Sequence, residues 1–182
     1  MEREIMEYDV VVVGGGPSGL ATAIRFAQLN QKNGTEHSIC LLEKGSEIGA
    51  HILSGNVFQP NALDELIPEW KDLNAPLNTP VTKDKLFFLF EKFGVPVPPF
   101  VIPPMNNHGN YVISLGNLCR WLAEQAENLG VEIFPGFPAS KLIFENDKVV
   151  GVQTGDMGIS AAGEMKPGNE PGIEIRAKYT VL

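Results

Sequence analysis

Basic residues, cysteine and long apolar runs are all scarce in this chain, and each scarcity excludes something. Lysine and arginine number 14 against 22 acidic residues, a net charge of −8. Nucleic-acid backbones are bound by clustered Lys and Arg, so no nucleic acid is expected as a partner. The same balance disfavours simple electrostatic attachment to anionic lipid. The only cysteines are Cys40 and Cys119, and neither belongs to a CxxC pair. The chain alone therefore builds no zinc site and no iron–sulfur cluster, and both residues read as plain buried thiols in a reducing compartment. No apolar run approaches the ~20 residues of a membrane span. Residues 1–8 are acidic, without the basic end and apolar run of a secretory signal or the arginines of a transit peptide. The expectation is a soluble or surface-bound protein made without a leader.

What is present is a chain of 182 residues, 43% apolar, which suits one domain or one and a part with a packed core. Asp9–Val13 is a β-branched run, continuous enough for a central parallel strand buried on both faces. A helix is expected from Pro17 to about Leu29 and a second strand over Ser38–Glu43, which gives β–α–β. Periodicity weakens from Lys44 to Asn110. Short helices are expected over Pro60–Ile67 and over Lys83–Phe93, the latter capped by Thr82. Val95–Pro104 holds five prolines among ten residues and reads as a stiff extended segment. Ser114 or Asn117 caps an amphipathic helix that ends near Leu129, with Gly130 as the stop. Val131–Phe134 is a buried strand. Lys141–Glu145 and Lys148–Thr154 flank Asn146-Asp147 as a hairpin. Gly158–Gly172 reads as a polar glycine-rich loop and Ile173–Leu182 as the last strand. The domain reading is a dinucleotide fold over 8–49, an insertion over 50–112, and a helix, strand, meander and final strand over 113–182.

The motif that carries chemistry is Gly14-x-Gly16-x-x-Gly19, placed between a strand and a helix. Gly14 permits the tight turn, Gly16 lets a pyrophosphate approach the backbone, and Gly19 lets helix and strand pack closely. First-turn amides and the helix dipole favour the diphosphate. Glu43, at the end of the next strand, can accept hydrogen bonds from ribose hydroxyls, which disfavours a 2′-phosphate. Strand, helix and acid together are far more specific than the glycines alone. They do not by themselves decide between FAD and NAD. Val57, Phe58, Leu63, Leu66, Ile67 and Trp70 form one apolar face, compatible either with lipid contact or with a helix packed on a core. Asn106-Asn107-His108-Gly109-Asn110 reads as a structural turn. His37 and His51 receive no role, and no catalytic residue is assigned.

Gly16-Pro17-Ser18-Gly19-Leu20-Ala21 and Leu41-Leu42-Glu43-Lys44 through Ile48-Gly49 resemble the glutathione-reductase-like flavoproteins. The resemblance implies an α/β Rossmann-like FAD-binding domain with a parallel sheet, a β-meander and an irregular insertion, and it selects FAD. The stretches Ile48–Gly55, Ala75–Thr82 and Pro104–Tyr111 are more specific, and resemble the electron-transfer-flavoprotein:ubiquinone oxidoreductases from about Tyr8 to Leu182. That resemblance implies a membrane-associated enzyme that takes electrons from electron-transfer flavoprotein and passes them through a [4Fe-4S] cluster and FAD to ubiquinone. It also implies that the cluster ligands and the second half of the flavin site lie outside this chain. The chain is then expected to be an N-terminal fragment, inactive alone, with apolar surface exposed on its last strand and meander. Gly14, Gly16, Gly19 and Glu43 would hold the ADP part, with Gly15, Pro17, Ser18 and Lys44 around them. Gly49, Ser54 and Gly55 would line the path towards the flavin, and Ala139 would offer backbone to adenine. The location implied is the cytoplasmic face of a bacterial inner membrane rather than a mitochondrion. Two alternatives remain: a geranylgeranyl-reductase-like FAD enzyme, or a non-catalytic nucleotide-binding module.

Overall fold

The structure, a computed structural model, describes residues 3–98, 107–159 and 165–182. In chain order the elements are β1 (Ile5–Val13), α1 (Pro17–Asn33), β2 (Ile39–Glu43), β3 (Ser54–Phe58), α2 (Asn61–Leu66), β4 (Leu86–Leu89), β5 (Gly94–Val97), β6 (Tyr111–Ser114), α3 (Leu115–Asn128), β7 (Glu132–Pro135), β8 (Ala139–Glu145), β9 (Lys148–Thr154), β10 (Met157–Ile159), β11 (Met165–Glu170) and β12 (Glu174–Val181). They form two compact units, Met1–Ile52 with Cys119–Leu182, and Leu53–Leu118.

The first unit is built on a six-stranded sheet of order β7-β2-β1-β12-β9-β8. β1 pairs in parallel with β2 and with β12, and β2 in parallel with β7. β9 turns the sheet antiparallel, pairing with β12 and with β8. The valines of β1 explain its central place: Val10, Val11 and Val12 are all shut off from solvent, as β-branched side chains in a strand flanked on both edges should be. One side of the sheet gathers Tyr8, Val11, Cys40, Leu42, Val152, Ile175 and Ala177 into a core. α1 starts with proline in its first turn, where the missing N–H costs nothing, and buries Leu20, Ala23, Ile24 and Ala27 at helical spacing. It runs past the expected Leu29 to Asn33. The stop is Gly34 in the left-handed region, φ 65° and ψ 35°, whose amide closes the last turn. α3 ends at its own glycine as expected, with Gly130 at φ 89°. At its start, the Asn117 N–H donates to Ser114 Oγ at 3.4 Å, the Ser114 cap. The β8–β9 hairpin turns on Asn146 (φ 48°) and Asp147 (φ 60°), two left-handed residues of the kind that match strand twist.

The polar segment expected as a loop over Gly158–Gly172 is a correction: β10 and β11 pair antiparallel there, with residues 160–164 outside the described set. Its ends are drawn together by hydrogen bonds. The Gly172 N–H donates to Asp156 Oδ1 at 2.8 Å, and Arg3 binds Asp156 Oδ1 at 2.6 Å and the Gly172 carbonyl at 2.8 Å. Polarity forbids no backbone ladder once the ends are clamped.

The second unit holds the antiparallel pair β3–β6, which runs from Ser54↔Ser114 to Phe58↔Tyr111. Neither strand is expected from the sequence: 54–58 lies in the stretch of weak periodicity, and 111–114 is only four residues long. α2 starts after Pro60, which caps it (φ −76°, ψ −7°) instead of opening it. Leu63, Ile67, Trp70, Ala75 and Leu77 are buried. Trp70 donates through Nε1 to Asp64 Oδ1 at 2.7 Å and meets Tyr111 edge-on at 5.9 Å. Of the 57–70 face, Leu63, Ile67 and Trp70 pack as a core and are not free to enter lipid, whereas Val57 is half exposed. The helix expected over Lys83–Phe93 is absent: β4 and β5 form an antiparallel hairpin, Leu86↔Val97 to Leu89↔Gly94. Its charges mimic helical spacing, but consecutive aromatic residues favour a strand, and the Gly/Pro-rich partner can only be extended. Val95–Val97 are extended as expected; 99–104 lie outside the described residues, as do Met105 and Asn106. The rest of the Asn/Gly segment is a turn, with the Asn110 N–H donating to Asn107 O at 2.9 Å and the Asn107 N–H to Asp84 Oδ2 at 2.7 Å.

Among the described residues, no helix is long and apolar enough to cross a membrane. Both cysteines are fully buried, and burial pushes the Cys40 thiol up to about 12 and that of Cys119 up to about 11. Thiolate is the reactive form, so a thiol-specific disulfide reagent at pH 8 is expected to modify neither cysteine in the folded chain and both in denaturant. Rapid modification of either before unfolding would contradict this packing.

Candidate nucleotide site

The parallel strands β1, β2 and β7 end at the same edge of the sheet, the edge at which ligands bind in open α/β folds. β1 runs into Gly14, whose N–H donates to the Leu42 carbonyl at 2.7 Å. Its φ of 109° is one that side-chain-bearing residues avoid. The backbone then turns into α1 through Gly15 and Gly16. A Cβ on Gly16 would meet nothing within 4 Å, so this face of the turn is open. A Cβ on Gly19 would run into the Gly14 carbonyl oxygen. The three roles expected of Gly14, Gly16 and Gly19 thus match three different local geometries: a turn, an open approach and a close packing contact.

Glu43 closes β2 and faces this turn. Its Oε2 accepts from the Gly15 N–H at 2.8 Å and its Oε1 from the Gly45 N–H at 2.7 Å. The β7–β8 connection is clipped to the same place: the Gly136 N–H donates to Gly45 O at 2.7 Å and the Phe137 N–H to Glu43 O at 3.0 Å. Between these segments lies a cleft of about 210 Å³, lined by Val13, Gly14, Leu42, Glu43, Lys44, Phe137, Pro138 and Ala139. It joins a carboxylate at one wall to apolar side chains and a bare β8 start at the other. That combination suits a sugar beside a flat heterocycle.

Other expected residues distribute unevenly. Lys44 and Ala139 line the cleft with Gly14 and Glu43. Pro17 and Ser18 open α1, but Ser18 borders a separate groove of about 440 Å³ on the helix's outer side, with Ala21, Arg25 and Phe26. Gly49 sits at φ 84° in a turn in which Ala50 and Ile52 donate to the Glu47 and Gly49 carbonyls. Ser54 and Gly55 belong to the second unit, exposed at the start of β3, with Gly55 at φ 84° beside a register shift. Sequence reasoning missed Phe137 and Pro138, although a Gly-Phe-Pro turn at the end of a parallel strand is a signal for this edge. It also missed Ile48, whose Cδ1 occupies the space a Cβ on Gly15 would need.

The open turn, the carboxylate and the cleft fit the ADP half of a dinucleotide. An iron–sulfur cluster does not fit: the two cysteines are both in the interior, and no group of His, Cys, Asp or Glu among the described residues could hold a metal ion.

Comparison with known proteins agrees with this geometry. Residues 12–69 match the NAD(P)-binding Rossmann-like domain family. Among solved structures, a geranylgeranyl bacteriochlorophyll reductase-like protein from Thermoplasma acidophilum superposes with a TM-score of 0.67 at 23% identity, covering 97% of this chain and 38% of that one. The myxobacterial chondrochloren halogenase gives 0.62 at 19%, covering 97% and 36%. At these identities the likeness establishes the fold. Sequence similarity is much closer elsewhere. The electron transfer flavoprotein-ubiquinone oxidoreductase of Pseudomonas aeruginosa is 58% identical over 186 residues, covering 100% of this chain and 34% of the relative. The mitochondrial protein of that name from Mus musculus is 50% identical over 183 residues, covering 100% and 30%. The chain therefore spans about a third of the length of these relatives, and over that span it is similar in sequence to the electron transfer flavoprotein-ubiquinone oxidoreductases.

Proposed function

We propose that this chain provides the ADP-binding half of the FAD site in an oxidoreductase that moves electrons from reduced electron-transfer flavoprotein to ubiquinone. The observation that carries the reading is a glycine turn, open at Gly16, whose Gly15 N–H is bonded to Glu43, with Gly14 and Glu43 lining one cleft. First-turn amides of α1 take the diphosphate, Glu43 takes ribose hydroxyls, and the Phe137–Ala139 wall takes adenine. Bound flavin would supply the electron-carrying chemistry, and the residues here bind and orient it. Any [4Fe-4S] cluster of the complete enzyme needs ligands other than Cys40 and Cys119. The test is calorimetric titration with ADP, FAD and 2′-phospho-ADP. ADP and FAD are expected to bind with similar affinity, because they share the half that these residues hold, and the 2′-phosphate is expected to weaken binding by repulsion from Glu43. Failure of both ADP and FAD to bind would overturn the reading.

For the membrane surface and the quinone, the supporting feature is the β4–β5 hairpin within the 50–112 insertion. Phe88 is 65% exposed and Leu89 82%, with Phe90 and Phe93 stacked at 4.8 Å and also exposed. Lys83, Lys85 and Lys92 are exposed around them, placed to stay at headgroup level while the aromatic tip enters lipid. A groove of about 410 Å³ lined by Leu86, Phe87, Pro96 and Val97 among others is the candidate seat for the quinone ring. Replacing Phe88, Leu89, Phe90 and Phe93 together by serine is expected to lower partition onto neutral phosphatidylcholine vesicles at least about 100-fold, at about 1.5 kcal/mol or more per side chain taken out of water. Unchanged co-sedimentation would remove the hairpin from the membrane contact.

A further inference from the structure

Glu43 does more in this structure than wait for a ribose. Each carboxylate oxygen already accepts a short hydrogen bond from a backbone amide, Gly15 at 2.8 Å and Gly45 at 2.7 Å. The two amides lie on different segments. Gly15 is the middle of three consecutive glycines between β1 and α1, and Gly45 is the second residue of the loop after β2. That loop also sends Ile48 into the only space in which a Gly15 side chain could stand, and its Gly45 carbonyl accepts from Gly136. Three glycines in a row are the part of a chain with the most backbone freedom to lose. A phosphate-binding turn made of them needs an anchor if its amides are to point one way before a ligand arrives. A carboxylate bonded to the central amide is such an anchor, since hydrogen bonds to an ionised acceptor are the strong ones.

We propose that Glu43 is a positioning residue for the diphosphate: in the nucleotide-free chain it holds the Gly14–Gly16 turn in its binding shape, independently of any contact with ribose. This rests on the nucleotide reading above and deepens it. The Gly15 N–H, committed to Glu43, is not a phosphate ligand, and the amides that face the diphosphate are those beyond it, from Gly16 into α1. Each carboxylate oxygen keeps a second lone pair, so ribose hydroxyls add to the arrangement without dismantling it.

The experiment separates positioning from ribose binding by using a probe that has no ribose. Wild type, Glu43→Gln and Glu43→Asp are titrated with inorganic pyrophosphate and with ADP, and amide hydrogen exchange at Gly15 and Gly45 is followed by NMR without ligand. Glutamine turns an N–H towards one of the two amide donors, and aspartate is a methylene too short to span both. Cooperative melting of each variant is checked first, and the aspartate variant carries the test if the glutamine one does not fold. The expected result is a loss of at least about tenfold in affinity for both probes, with faster exchange at both amides. Loss of ADP affinity alone, with pyrophosphate binding and amide protection unchanged, overturns the positioning role and leaves the nucleotide reading standing. Failure of the wild-type chain to bind either probe overturns both.

Discussion

Gly16→Val is expected to abolish nucleotide binding while leaving the fold in place. Gly16 caps α1 in an extended conformation, φ −80° and ψ 178°, open to any L-residue. A Cβ there would meet no atom within 4 Å, so valine neither strains the backbone nor collides with the protein. The cost to the nucleotide-free chain is limited to the poorer cap, on the order of 1 kcal/mol. The same open space is the approach of the pyrophosphate. Branched carbons in it hold the phosphates away from the first-turn amides. Losing even two hydrogen bonds to a charged group, at about 1.5 kcal/mol each, lowers affinity by about 100-fold. Calorimetry with ADP and a thermal melt on the same preparation check both halves. ADP binding at the wild-type level would show that the diphosphate does not pass this face.

How much of the molecule could be read in advance depends on whether the deciding contacts are local. β1, the start of α1 and β2 are legible from a valine run, Gly-Gly-Gly-Pro and a second apolar run, whereas the end of α1 lies four residues beyond the expected Leu29, at the Gly34 stop. The β8–β9 hairpin was legible because Asn146 and Asp147 tolerate left-handed backbone. Leu86–Phe93 was not. Lys83, Lys85, Glu91 and Lys92 spaced around apolar residues imitate an amphipathic helix, and what decides for a strand is the pairing with Val95–Val97 across the turn. Pairing at a distance also hid β3 with β6, which are joined across more than fifty residues, and hid the place of β12 beside β1, set by a register from Ile5↔Glu174 to Val12↔Val181.

The candidate site shows the same division. Gly14, Gly16, Gly19 and Glu43 stand out in the sequence because their spacing is a chemical requirement of the turn. Phe137 and Pro138 carry only the weak signal of a Gly-Phe-Pro turn after a strand, and Ile48 meets Gly15 only through the fold. The two amide bonds of Glu43 were invisible for the same reason: they arise where loops from two strands converge. Ser54 and Gly55, singled out with the motif, fall in the second unit, where Gly55 stands at the irregular start of β3.

Gly19→Ala should produce the opposite phenotype to Gly16→Val, with stability falling first and binding after it. The added methyl would run into the Gly14 carbonyl oxygen and press on Val12 Cγ1 at 3.4 Å. Neither neighbour can give way cheaply. Gly14 is held by its 2.7 Å hydrogen bond to Leu42 at the end of the sheet, and Val12 is buried in the central strand. α1 has to move off β1 instead. Overpacking of this kind costs roughly 1–3 kcal/mol, and a rigid backbone atom as the obstacle places this case near the upper end. Alanine returns up to about 1 kcal/mol in helix propensity, leaving a net loss of about 2 kcal/mol. For a chain of this size that is a fall in Tm of roughly 4–8 °C. A shift of α1 also carries its first-turn amides away from the diphosphate, so ADP affinity should fall at temperatures where the variant is still folded. An unchanged Tm would mean that helix and strand are not in contact at Gly19, and the turn as described would have to be redrawn. Together the two variants separate the glycine that makes room for a ligand from the glycine that makes room for the fold.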